Sequence, residues 1–179
     1  MSIFDKLNKI TNASGAQTFT FSSLPESLAQ LQALPEATLD NPYKTAALSL
    51  CALCVYAADK NIGIEMLNFL RGPRPLSPMD ISFLDDRYRD GNTYVPFSYF
   101  AGATPDNNYT PSQPFTVTVE SNPYSDANEG YKKLFIKSSG ADTPREIVLR
   151  MRGSDGKWFL WDQFLLVGIR MPKAQDPWA

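Results

Sequence analysis

Arg145-Glu-Ile-Val-Leu-Arg-Met-Arg152, then Gly153-Ser-Asp-Gly156, then Lys157-Trp-Phe-Leu-Trp161 reads as one β-hairpin. Ile147, Leu149 and Met151 recur at every second position, the spacing that places side chains on one face of a strand. The run between the two glycines supplies a four-residue turn. Working outward, Phe115-Thr-Val-Thr-Val-Glu120 alternates strictly, and Tyr131 to Lys137 is strand-like with Leu134 and Ile136 opposite Phe135. Phe164 to Arg170 is expected as a last strand before Pro172. Tyr94 to Phe100 is aromatic and broken by Pro96, which suits an edge strand. Residues 102–113, rich in Pro, Asn and Asp, read as a loop. No segment between these strands is long enough for a helical crossover, so the sheet is expected to be mostly antiparallel, with five to six strands.

Upstream of residue 92 the apolar period is 3.6 rather than 2. Ser23 is the expected cap of a helix carrying Leu24, Leu28, Leu31 and Leu34, with Pro25 early in it and Pro35 closing it. Asn41-Pro42 opens a second helix over Tyr43 to Asp59, apolar around most of its circumference and so the expected central one. Lys60 to Gly63 is expected to break it, Ile64 to Leu70 to resume it, and Gly72-Pro73 to stop it. Ser77-Pro78 starts a fourth helix, with Asp80 three residues on and Asp90-Gly91 at its end. Ile3, Phe4, Leu7 and Ile10 also share a helical spacing, followed by a polar stretch with one brief extended piece at Thr18–Phe21. The expectation is therefore an α+β fold. Residues 1–22 form a short helix and linker, and 23–179 a single domain with a helical layer (23–91) and a sheet (92–172).

Composition bounds the chemistry. The chain has 179 residues, 17 basic against 19 acidic, and no histidine. The charge balance gives no electrostatic footprint for nucleic acid or an anionic membrane, so neither is expected as a partner. Without histidine, the Ser-His-Asp and Cys-His arrangements and imidazole metal ligands are removed, and no metal or cofactor is expected. The first residues carry charges inside their apolar positions and lack a signal-peptide core, and the apolar run Ala46 to Ala58 is too short to cross a bilayer. The location read from this is cytoplasmic.

Four groups of residues invite a functional reading. Cys51 and Cys54 have redox spacing but lie well inside an apolar helix, where a thiol gains little from the helix dipole and reads as a small core residue. Asp80, Asp85, Asp86, Arg87, Tyr88, Arg89 and Asp90 form the densest charge cluster. Asp85, Asp86 and Asp90 with Arg87 and Tyr88 are candidates for carboxylate catalysis, against which stands a self-paired helix end with Asp85 and Arg89 one turn apart. Asp126-Ala-Asn-Glu-Gly130 has some calcium-loop character but no closing acidic ligand, and a turn explains it. Tyr94, Tyr99, Trp158 and Trp161, within a larger aromatic set, are candidates for a binding surface, since successive rings along a strand must face opposite ways.

The C-terminal run Ser154-Asp-Gly-Lys-Trp158-Phe-Leu-Trp161 through Phe164-Leu-Leu-Val-Gly-Ile-Arg170, ending Asp176-Pro-Trp178-Ala, resembles the tail of an uncharacterised bacterial family, mainly from Firmicutes. That resemblance implies a bacterial cytosolic protein and transfers no activity. The Asp-Gly-Lys-Trp hairpin is also similar to the last strands of NTF2-like folds, although those chains place a strand or hairpin among their helices. Three functional readings follow: a non-catalytic module binding a protein or a small ligand through an aromatic or loop surface, a carboxylate-based hydrolase or isomerase in a sheet concavity, and an accessory or immunity-type protein.

Overall fold

Five strands form one antiparallel meander in the order in which the chain makes them, and the longest of four helices lies across one of its faces. The computed structural model describes residues 15–179. The strands are β1 (Ala16–Phe21), β2 (Phe115–Glu120), β3 (Tyr131–Ile136), β4 (Arg145–Met151) and β5 (Trp158–Gln163). Between β1 and β2 lie α1 (Leu28–Gln32), α2 (Pro42–Ala58), α3 (Lys60–Arg71) and α4 (Pro78–Tyr88). The α+β class and the antiparallel sheet are as the periodicities predict. No helix among the described residues is long and apolar enough to cross a membrane.

The period-2 pattern sets the covered face. Phe19, Phe21, Val117, Val119, Leu134, Ile136, Ile147, Leu149 and Leu160 are all buried, and paired rows run across the strands, Phe19 beside Val117 and Leu149 beside Leu160. Against this face lies α2, buried from Pro42 to Tyr56 except at Lys44, as an apolar helix needs on nearly every side. Its Thr45 hydroxyl donates to the Trp158 carbonyl at 2.7 Å, tying the helix to β5. Asn41 caps α2 on the amide of Lys44, and Ser77 and Asp80 cap α4 reciprocally, as their spacing predicts.

Several expectations are corrected. The first helix begins at Leu28 with Ser27, not Ser23, as its cap, and it is one turn and a half long because Pro35 starts a separate 3-10 turn. Lys60 to Gly63 is the first turn of α3, not a break. The chain turns at Asp59, which takes an extended conformation and caps α3 through its carboxylate. Tyr94 to Phe100 is not a strand: residues 89–99 form 3-10 turns, kinked at Asp90 and Gly91, which have positive φ. Tyr94, Phe97 and Phe100 recur at three residues, which is the 3-10 period.

Phe164 to Arg170 is not a strand either. Gly168 turns there at positive φ, and Arg145 takes the Val167 and Gly168 carbonyls that a ladder would have used. The extended piece expected at Thr18–Phe21 belongs to β1, fully registered on β2 as an edge strand. The helix expected over residues 2–10 lies outside the described residues.

Candidate functional site

On the outer face of the sheet, a groove of about 420 Å³ runs between the segment after α3 and the β4–β5 hairpin. Its walls are Arg71, Pro73 and Arg74 on one side and Arg150, Met151 and Arg152 on the other, with Phe159 and Trp161 between them. The segment reaches the sheet because Gly72 ends α3 at positive φ, with its backbone lying on the Phe159 ring. A Cβ at Gly72 would overlap that ring. Met151, which alternation places on one face with Ile147 and Leu149, is exposed at the hairpin end of β4 while those two are buried.

Trp161 owes its position to a bulge. Leu149 pairs with Leu160 and Val148 with Asp162, so Trp161 is an extra residue of β5 without a partner on β4. Two arginines lie against its ring, Arg74 at 3.8 Å and Arg150 at 4.6 Å from the centroid. Tyr131 meets the same ring edge-on at 5.6 Å and also sits under Arg150. Arg74 donates to the Trp161 carbonyl, which fixes the loop to the strand.

The arginines differ in what neutralises them. Arg71 reaches Asp80 at 3.3 Å, and Arg152 forks onto Asp155 at 3.1 and 2.5 Å. Burial draws the Arg71 guanidinium down from its ordinary range, while Asp80 and Asp162 hold it up. Neither Arg74 nor Arg150 has a carboxylate within salt-bridge distance among the described residues. Arg150 has no hydrogen-bond acceptor among them at all.

The acidic cluster is arranged differently. Asp85 accepts from Tyr56 and from Lys60, both at 2.6 Å, and the lysine and then the tyrosine hold its carboxyl below the usual range. Asp86 pairs with Arg89 at 3.1 Å, so the ion pair expected between Asp85 and Arg89 is replaced by one at three residues' spacing. Tyr88 stacks on Tyr56, donates to the Leu53 carbonyl at 2.7 Å, and is raised by burial. Arg87 lies over Phe83, with its Nε buried and unpartnered. Asp90 occupies the kink. Asp85 and Tyr88 thus serve helix packing, while Asp86 and Arg87 line a separate shallow pocket with Tyr94.

The candidate aromatics divide in the same way. Tyr99 is buried and donates to the Leu165 carbonyl at 2.5 Å, so it belongs to the core and not to a surface. Tyr94 stacks on Tyr109 at 5.3 Å, and Trp158 is half-buried with its main chain held by Leu39 and Thr45. Trp161 is the candidate that lines the arginine groove. Sequence reading missed its arginines, although Arg150 and Arg152 alternate on the strand face opposite Ile147 and Leu149, and Arg71-Gly-Pro-Arg74 follows directly on a helix stop. Only the bulge and the Gly72 turn bring the two pairs together.

Cys51 and Cys54 are free and buried, and burial raises both thiols. The Asp126 carboxylate is taken by Lys132, at 2.9 and 3.0 Å. Among the described residues no group of three His, Cys, Asp or Glu is placed to hold a metal ion.

No curated protein and no solved structure matches the chain. The sequence profile of a domain of unknown function, DUF6935, matches residues 23–173, and the chain belongs to that family.

Proposed function

We propose that this chain is a non-catalytic binding module, bacterial and cytoplasmic, and that it meets its ligand or protein partner in the Arg74–Trp161–Arg150 groove. The observation that carries this reading is the placing of two arginines over one tryptophan with no carboxylate among the described residues opposite them. Cation–π attraction holds each arginine to the ring, and the two charges are left without a counter-ion, an electrostatic setting that an anionic ligand would complete. The groove has the size of small-ligand pockets and mixes apolar floor with a few polar groups, as such pockets do. Its floor is also supported from below, since Phe159 is packed between Gly72 and Arg152.

The test is a fragment set of mixed charge, screened by ligand-observed NMR against the wild-type chain, Trp161→Ala and a control, Lys133→Ala. Binders that lose their signal only with Trp161→Ala support the groove. The reading fails if no fragment binds, or if every binder is indifferent to Trp161.

A further inference from the structure

We infer that the groove recognises a small organic phosphate, with the phosphoryl group on the free N–H groups of Arg150, in the field of Arg74, and the organic part against Trp161 and Met151. This inference rests on the groove being the binding surface. Its basis is the pair of guanidinium groups set over one indole ring. A guanidinium held to a ring by cation–π attraction keeps its N–H groups available for a bidentate oxyanion. Arg150 spends none of its N–H groups on an acceptor among the described residues, and Arg74 spends one on the Trp161 carbonyl. Both guanidinium carbons sit over the Trp161 ring, at 3.8 and 4.6 Å from its centroid, so both charges act on an anion bound in this groove.

The charge count selects the kind of anion. Of the four arginines in the groove, Arg71 and Arg152 are matched by Asp80 and Asp155. Asp162 lies near enough to influence Arg71 but is not ion-paired with Arg74 or Arg150. Among the described residues two positive charges therefore remain, and a phosphomonoester carries about −1.5 to −2 near neutral pH, where a carboxylate carries −1. The apolar part of the lining, Pro73, Met151, Leu160 and the exposed portion of Trp161, gives a bare inorganic phosphate nothing to touch. An organic substituent on the phosphate would cover it.

The experiment measures binding of four probes by isothermal titration calorimetry at low and matched ionic strength: phenyl phosphate, inorganic phosphate, benzoate and phenol. Wild type, Arg150→Gln, Arg150→Lys and Trp161→Ala are compared, with far-UV circular dichroism and melting curves to show that each variant is folded. The expected result is phenyl phosphate binding about tenfold or more tightly than the other three. Arg150→Gln should weaken it about tenfold, Arg150→Lys less, since the charge stays and the fork is lost.

Benzoate binding as tightly as phenyl phosphate would overturn the phosphate assignment while leaving the groove as a binding surface. So would phenol binding through Trp161 with no gain from the phosphate. Equal affinity in Arg150→Gln would remove Arg150 from recognition and overturn the inference as well. If no probe binds in any variant, the inference falls. The groove reading then stands or falls separately on the fragment screen.

Discussion

The Tyr56 hydroxyl and the Lys60 ammonium each donate to Asp85 at 2.6 Å, one to each carboxylate oxygen. Tyr56 belongs to α2, Lys60 to α3 and Asp85 to α4, so one carboxylate joins three helices. The stack of Tyr56 on Tyr88 at 5.2 Å lies beside it.

Asp85→Asn should therefore destabilise the fold by about 1 kcal/mol near neutral pH, a modest figure because the group is partly exposed. The folded carboxyl is held below its ordinary pKa, so its stabilisation is present above the unfolded value, about 3.9. It is lost as pH falls through the folded value. Urea unfolding at pH 7 and pH 3 should show the gap between wild type and variant closing in acid. A constant gap would mean that the carboxylate charge is not what matters.

Cys51 and Cys54 should be inert to a thiol reagent such as DTNB in the native protein, because both are buried and burial raises their pKa. Modification should proceed only through opening of the fold and accelerate in urea. Rapid labelling of native protein would contradict the packing of α2.

Gly63 in α3 lies against the backbone of Tyr56 in α2, and a Cβ there would overlap Tyr56 Cα and Cβ. The helices are close because that position has no side chain. Gly63→Ala should cost about 3 kcal/mol, the upper end of overpacking, rather than the small gain expected from alanine in a helix. Chemical denaturation decides the sign.

Strand β1 buries Phe19 and Phe21 against the core and pairs with β2 along all six residues. Phe21→Ala should cost about 3–4 kcal/mol. A chain starting at residue 23 exposes the β2 edge and that apolar surface, and should aggregate or melt far below the full-length chain.

Periodicity carried most of the layout. Alternation showed which residues share a strand face, Ile147 with Leu149 among them, and the largely apolar circumference of α2 marked it as the central helix. Which face that helix covers was left to the tertiary structure. Local chemistry settled the caps at Asn41 and Ser77, because capping involves residues three apart. The same local reasoning misled at Tyr94–Phe100 and Phe164–Arg170. Aromatic and apolar residues there resemble strands, but Asp90, Gly91 and Gly168 turn the backbone and Arg145 claims the carbonyls.

The amino-acid sequence alone thus determined the fold class, the central helix and the strand faces, since each depends on spacing within a few residues. It also placed the cysteines inside, because a thiol in a helix apolar on all sides has nowhere else to be. Tertiary structure alone decided the groove. Arg74 and Arg150 are 76 positions apart in the chain and meet over Trp161 only because Gly72 lays the loop on Phe159 and a bulge in β5 frees the tryptophan from its ladder. Tertiary structure likewise turned the acidic cluster from a candidate site into helix ties, since the partners of Asp85 come from two other helices. Contacts between distant segments leave no periodic trace in a sequence.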